Sequence, residues 1–522
     1  MGKEMMDYIK TKLKKEHKFA FVSSFIITLL IHFYKFSNTL PNHDSLYNYY
    51  SDQNVLGSGR WALSLACGIS SYFDLPWVNG LMCCVAIALT VAVIVALFDI
   101  KNSVLIMLIG ALFAAAPATT ETLFFMFTAD GYLFAMLLAA LAVYFSRISE
   151  ERISRWIVSG ICICVACGIY QAYVSFALVL ATSYFIVVLL QNRHEKLTCL
   201  KWILRQAVIY STSLVAYYAI WKLLIFFTGT AINDYQGISE VGKLNVSLLL
   251  NGFIASVSSM VQYFLQWNVL EHGFSFYSVL NVIFVIVMGI GLLIAMINSK
   301  IFKRKWAALL LCLCVAAIIP FSCIWNFVSD SVGYRPMMLQ CVTLLFALTA
   351  LFYERWSGTI LKNVVALFLT LIVFNNAIMA NISYYYMHLC YERTYSEGVE
   401  MMMEIHDLQD EYDCQEIAII GNRASDVALE FFDSETGGIA PAGKIFILSN
   451  QLEASLFSSH AQVVSYLETT YGLELASVSV AKLSELSNLP EVKAMGCWPA
   501  GDSVAVIDGA VIIKLADIEE VA

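Results

Sequence analysis

Apolar stretches of about 20 residues recur along the first three quarters of the sequence, each long enough to cross a ~30 Å hydrocarbon core as a helix. They run over roughly 19–37, 78–98, 103–119, 127–146, 156–171, 173–190, 203–227, 275–297, 307–326, 336–352 and 362–381. Inside lipid every backbone polar group must be bonded within its own element, so such runs fold as helices. Composition agrees: 59% of the 522 residues are hydrophobic and 14% charged, against ~45–50% and ~25% in soluble domains. A water-soluble interior cannot hide that much apolar surface, which excludes a soluble enzyme over most of the length. The pattern predicts a polytopic α-helical membrane protein with about eleven transmembrane helices. Residues 156–190 would make one helix of ~52 Å, so a hairpin is expected to break at Gly168-Ile169-Tyr170-Gln171.

Charge adds orientation and a domain boundary. Net charge is −9, which argues against a nucleic-acid partner. From residue 385 onward there are 6 basic and 23 acidic residues, whereas residues 1–384 are net basic. We therefore expect a membrane part over 1–384 and an acidic α/β domain over 385–522. The tail's strand-length runs are Glu416–Gly421, Lys444–Ser449 and Ser503–Ile507, with a hairpin turn at Asp508-Gly509 and a helix over Ala461–Thr470. Met1–Lys18 is basic and amphipathic and reads as an anchor, since no small-residue cleavage site follows. With that end inside, 20 of the 25 basic residues before 385 fall in cytoplasmic segments. The tail is then extracytoplasmic, and the long loops 38–77 and 228–274 mark the outer face as the working face. The fourteen cysteines mostly sit in apolar runs and read as small buried hydrophobes. Cys390, Cys414 and Cys497 in the tail leave a disulfide open.

The outer loops hold the residue types that chemistry needs. Asp44, Asn48 and Asp52 recur at i, i+4 and i+8, near one face of a helix. Asp44 beside apolar rings is a candidate general base. Its other reading is a helix cap. Asp52 is a second candidate, and His43 crowds the same loop. Gly57-Ser58-Gly59-Arg60-Trp61 offers flexible backbone and a planar guanidinium suited to phosphate, or an arginine snorkelling to headgroups. Glu121, in an outer turn, is a carboxylate candidate or a solvated loop residue. Asp130 at the start of the fourth run is deeper, and charges there tend to be functional. Tyr170 and Gln171 at the hairpin apex could bond a sugar hydroxyl or serve as a polar helix break. Lys222 and Arg335 are further phosphate candidates, with snorkelling the alternative for Lys222. No metal-ligand spacing and no nucleotide-binding glycine loop occur.

Taken in order, NHDSLYNYY, GSGRW, ETLFFMFTADGY and GIYQAY, with WPAGDSVAVIDGAVIIKL at the end, resemble the serotype-converting bacterial membrane glucosyltransferases of the Gtr type II family. That family is similar to the GT-C superfamily of polytopic glycosyltransferases. The resemblance implies a polyprenyl-phosphate sugar donor used at the outer face of the bacterial cytoplasmic membrane. It implies an acidic base in the first outer loop, at Asp44, and the GRW arginine at Arg60. It favours glucose as the sugar. His43-Asp44 supplies one carboxylate where superfamily members often have a tandem acidic pair. No cofactor is expected, with a divalent metal left open.

The expected activity is transfer of a hexose from the lipid-linked donor to a surface glycan such as an O-antigen or a teichoic acid. Asp44, Asp52, Glu121 and Asp130 are the catalytic candidates. Arg60, Arg335 and Lys222 are candidates for the donor phosphate, and His43, Tyr170 and Gln171 for the sugar. Partners would be membrane lipid, the acceptor glycan, and the proteins that make the donor and carry it across the membrane. The competing readings are a lipid-linked oligosaccharide flippase, which should show charges near the midplane and paired broken helices, and a non-catalytic envelope assembly protein docking through its tail.

Overall fold

A computed structural model describes residues 14–47, 55–67, 73–233, 246–265, 276–329, 332–412, 416–423, 448, 452, 455–472 and 474–517. The chain forms two compact units. The first comprises Met1–Asn38, Asn54–Asn381 and Glu435–Leu448; the second comprises Thr39–Gln53, Ile382–Ser434 and Ser449–Ala522.

The first unit is a helical bundle. Its main helices are α1 (Lys15–Ile31), α2 (Pro76–Phe98), α3 (Ser103–Ala114), α4 (Pro117–Phe124), α5 (Met126–Phe145), α6 (Ile153–Ile169), α7 (Tyr173–Gln191), α8 (Lys196–Thr228), α9 (Val246–Leu265), α10 (Phe276–Asn298), α11 (Lys305–Ser322) and α12 (Thr343–Trp356). A final helix, α13 (Thr359–Tyr412), begins here. Among the described residues nine helices are long and apolar enough to cross a membrane, or ten when a bent pair is taken as one span. α7 and the stretch Pro336–Trp356 form the centre, each 94% buried over its most apolar window. α8, α10 and α11 present Leu204, Val215, Leu293 and Leu309 outward, the surface that lipid would cover. Small residues let the helices approach: a Cβ on Gly110 of α3 would fall 2.3 Å from the Ser24 hydroxyl of α1.

Local chemistry sets the helix ends. The Asn102 side chain caps α3 by accepting from Val104 N and Leu105 N. Pro76 and Pro117 occupy first-turn positions, where no N–H is needed. α8 stops at Gly229 in the left-handed region, φ 67°. The hairpin between α6 and α7 breaks where expected, with Tyr170 extended at φ −156° and ψ 118°.

Three expectations need correction. The run 103–119 is not one straight span: it ends at Ala114 and resumes at Pro117 with a 42° bend, because proline cannot donate the hydrogen bond that would continue the helix. The stretch 228–274 is not all loop, since it contains the 20-residue α9. Ser, Asn and Gly spaced among the leucines of VSLLLNGFIASVSSMVQYFL diluted its apolar signal. And α13 does not end near residue 381 but continues as one helix of 54 residues.

In the second unit the strands β1 (Glu416–Ile420), β2 (Ala476–Ser477), β3 (Val504–Ile507) and β4 (Ala510–Lys514) form one sheet in the order β2-β1-β4-β3. β1 runs parallel to β2 and β4, and β3 pairs antiparallel with β4. The β3–β4 turn is Asp508-Gly509, both at positive φ (51° and 73°), as a tight two-residue hairpin requires. Alternation along β1 and β4 divides the core. Ile417, Ile419, Val511 and Ile513 pack with Met401 and Ile405 of α13 and with Val463 and Leu467 of α14 (His460–Tyr471). Ala418, Ile420, Ala510 and Ile512 pack with Leu486 of α15 (Val480–Asn488) and with Val492. Cys390 and Cys497 are free thiols, and Cys414 lies outside the described residues, as does the expected strand Lys444–Ser449 apart from Leu448.

Candidate functional site

The glycine-rich turn and the hairpin apex, separate in sequence, meet in the first unit. Ala62 N donates to Gly168 O at 2.8 Å. The Trp61 indole lies so close to Gly168 that a Cβ there would sit 2.5 Å from it. Gln171 Nε2 donates to Ser58 O at 2.8 Å and to the Tyr217 hydroxyl at 3.1 Å. Tyr217 in turn donates to Gly59 O at 3.1 Å, and Trp221 Nε1 to Leu56 O at 2.8 Å. Trp325 Nε1 closes the ring by donating to Gln171 O at 3.1 Å. Side chains from α7's approach and from α8 thus hold the turn's carbonyls, and Trp325 after α11 holds the Gln171 carbonyl in turn. Gly59 at φ 81° gives the turn its left-handed step.

Arg60 is the product of that scaffold. Its Nη1 donates to the Tyr132 hydroxyl of α5 at 3.2 Å. Its guanidinium lies 5.3 Å from the Tyr170 ring centroid, and the Tyr132 and Tyr170 rings stack at 4.5 Å. A half-buried guanidinium beside two aromatic faces is a preorganised anion partner. Lys222, next in sequence to the strut Trp221, lies over the Trp221 and Tyr218 rings at 4.9 and 5.4 Å.

Glu121 is not a solvated loop residue. It is wholly buried in α4, where Met337 N donates to its Oε2. Its Oε1 has no hydrogen-bond partner among the described residues. Arg335, two residues before Met337, acts on it electrostatically. Nearby, Gln340 Nε2 donates to Thr119 Oγ1 at 3.0 Å. The bent segment α4 is therefore fastened to the 3₁₀ turn Pro336–Val342. Asp130 of α5 is also buried, 5% exposed; Oδ1 accepts from Gly131 N at 2.9 Å, and the Cys67 thiol is a hydrogen-bond neighbour.

His43 and Asp44 lie in the second unit, in the short helix His43–Tyr47. His43 Nε2 and Asp44 Oδ1 are 3.1 Å apart, each side chain about one-third exposed. Gln462 Nε2 donates to His43 O at 2.7 Å, and Leu46 enters the core of that unit. Asp44 is not the cap: Asn42 Oδ1 accepts from Ser45 N at 3.0 Å and from Ser45 Oγ at 2.9 Å. Asn48 and Asp52 lie outside the described residues.

Two features escaped sequence reasoning. Asn42 as cap was hidden by the more conspicuous Asp44. Lys35, 1% exposed and under the influence of Asp74, could have been found from its place inside an apolar run. Among the described residues no group of three or more His, Cys, Asp or Glu side chains is placed to hold a metal ion.

No curated protein and no solved structure matches the chain. A family does: the family model described as glucosyl transferase GtrII matches residues 33–352, well over half of the length and all of the Arg60 and Glu121 neighbourhoods. With its many long apolar helices, the chain belongs to the glucosyl transferase GtrII family of membrane proteins.

Proposed function

We propose that this protein transfers a glucosyl residue from a polyprenyl-phosphate-linked donor to a surface glycan, an O-antigen or a teichoic acid, at the outer face of the bacterial cytoplasmic membrane. The observation that carries the reading is Arg60, held by Tyr132 and Tyr170 on a turn whose carbonyls are fastened by Gln171, Tyr217 and Trp221. A second feature supports a lipid-linked donor. An apolar groove of about 1200 Å³ runs between α6 and α8, with Trp61 at one end and Lys201 and Arg205 towards the other. Its α8 wall extends from Thr198 to Ile220, about 33 Å of helix, close to the thickness of a hydrocarbon core. An isoprenoid chain lying there would bring its phosphate to the residue beside Trp61.

In the transfer an acceptor hydroxyl oxygen attacks the anomeric carbon. The bond from that carbon to the phosphate oxygen breaks, and the hydroxyl proton passes to a carboxylate. Polyprenyl phosphate leaves with its new charge stabilised by Arg60, a group set in place before the reaction. Lys222 and Arg335 add positive charge. The resemblance puts the base at Asp44, which is about one-third exposed and does not cap its own helix. Glu121 and Asp130, buried in the packing of α4 and α5, position these elements. Gln171, with both amide protons bonded, positions the turn, and His43 orients Asp44.

Arg60→Ala tests the reading. The variant should reach the membrane in normal amount and lose transfer by ~10²-fold or more, as expected when a group stabilising developing charge is removed. Arg60→Lys should recover only part, since lysine lacks the planar fork. Wild-type transfer by Arg60→Ala would leave arginine a headgroup anchor and remove this reading.

A further inference from the structure

A second cavity lies at the far end of α7 from Arg60. Tyr173 begins α7 beside the hairpin apex and Gln191 ends it at this cavity, about 27 Å away along the helix. The volume is about 770 Å³. Its mouth carries Arg193, His194, Lys101 and Arg355, and its walls include Leu105, Val187, Val188 and Leu351.

The charges are arranged in an unusual way. Asp99 pairs with Lys14 at 3.5 Å and Lys101 at 4.0 Å, and Glu354 pairs with Lys362 at 2.9 Å while accepting from Asn102 at 3.0 Å. Both carboxylates thus have lysine partners. Arg355 donates through Nη2 to Phe98 O, but its Nη1 is buried with no hydrogen-bond partner among the described residues. Asp99 and Glu354 attract Arg355 electrostatically, while Arg193 presses its like charge on it. A buried guanidinium donor left unbonded costs free energy, and a second guanidinium beside it adds repulsion. A bound anion relieves that repulsion, because a phosphate accepts from two guanidinium forks at once. The apolar wall beneath suits an acyl chain, and basic pockets between helix ends are a known chemistry for anionic headgroups.

We propose that this cavity binds an anionic phospholipid, its phosphate held between Arg193 and Arg355 and its acyl chain lying against the Leu105, Val187 and Val188 wall. The site is distinct from the Arg60 turn and does not depend on the transfer reaction proposed for it.

The full-length protein in a neutral detergent is titrated with dioleoylphosphatidylglycerol, with dioleoylphosphatidylcholine and with inorganic phosphate, and its thermal unfolding midpoint is followed. Phosphatidylglycerol should raise the midpoint and the other two should not. Arg193→Gln, at an exposed position that folding tolerates, should at least halve the shift, and Arg355→Lys should reduce it. Lys305→Gln, an exposed basic residue at the start of α11 and outside both cavities, should leave it intact. Equal shifts from both lipids, or equal loss in Lys305→Gln, would reduce the effect to general surface charge and overturn the site. A shift of the same size from inorganic phosphate alone would overturn the lipid assignment.

Discussion

At position 44 one substitution separates two jobs. The helix His43–Tyr47 is capped by Asn42, whose side chain receives Ser45 N and Ser45 Oγ. Asp44 therefore does not cap this helix, and Asp44→Asn removes its ability to take a proton together with the charge it presents to His43. The protein should accumulate normally and lose transfer by the ~10²–10⁴-fold typical of a missing general base; quantitative blotting beside a transfer assay checks both. Near-normal transfer would move the assignment to Asp52. Asn42→Ala should behave in the opposite way, destabilising the second unit by ~0.5–2 kcal/mol without removing the base. The sequence disclosed Asp44 as a carboxylate of interest and Arg60 as a lone cation among glycines. It did not disclose Tyr132, Tyr217 and Trp221 as the groups that hold Arg60's turn, because they lie about 70 to 165 positions away and read as ordinary aromatics of apolar runs. The burial of Glu121 was hidden for a related reason: the proline bend that buries α4 is a three-dimensional event.

Helices were legible where a single physical requirement decides them. α2, α5, α6, α7, α10 and α11 begin and end within a few residues of their apolar runs, since an apolar run of that length has no other stable form in lipid. α9 was not legible as an apolar run, because Ser247, Asn251, Ser258 and Gln262 recur along one face and make the helix amphipathic. The length of α13 was hidden too, because its second half is polar in composition and finds its packing through a few residues such as Met401 and Ile405. In the second unit, β1 and the α14 helix are joined by a titratable link. Ile419 N donates to His460 Nδ1 at 3.0 Å, and Nε2 meets Ser477 Oγ at 2.7 Å. Burial pushes the imidazole below its ordinary value of about 6.5. The folded form thus resists protonation, and the unfolded form takes the proton first. The link's contribution is complete above pH ~6.5 and is lost as pH falls below that value. Hydrogen exchange should show the Ile419 amide losing protection between pH 7.5 and 5.5 beyond the intrinsic rate change. Protection independent of pH would contradict this.

For the whole molecule the number of membrane crossings turns on α9. Were α9 to cross, Lys300, Lys303, Arg304, Lys305, Arg355 and Lys362 would move to the outer side and the 20-to-5 partition of basic residues would weaken. We therefore expect α9 to lie at the membrane surface without crossing, with the acidic second unit outside. A periplasmic-type reporter fused after Ala522 should be active, and one active only in the cytoplasm should be silent. The reverse pattern would place α9 across the membrane and the second unit inside.

The donor proposed for the Arg60 turn is a lipid-linked sugar and not a nucleotide sugar. Membranes containing the protein, or its Arg60→Ala variant, are given polyprenyl-phosphate glucose labelled in the sugar, or labelled UDP-glucose with donor synthesis blocked, and label in the surface glycan is counted. Label should pass from the polyprenyl donor in the wild type, fall by ~10²-fold or more in Arg60→Ala, and not pass from UDP-glucose. Equal transfer from UDP-glucose, or wild-type transfer by the variant, would contradict the account.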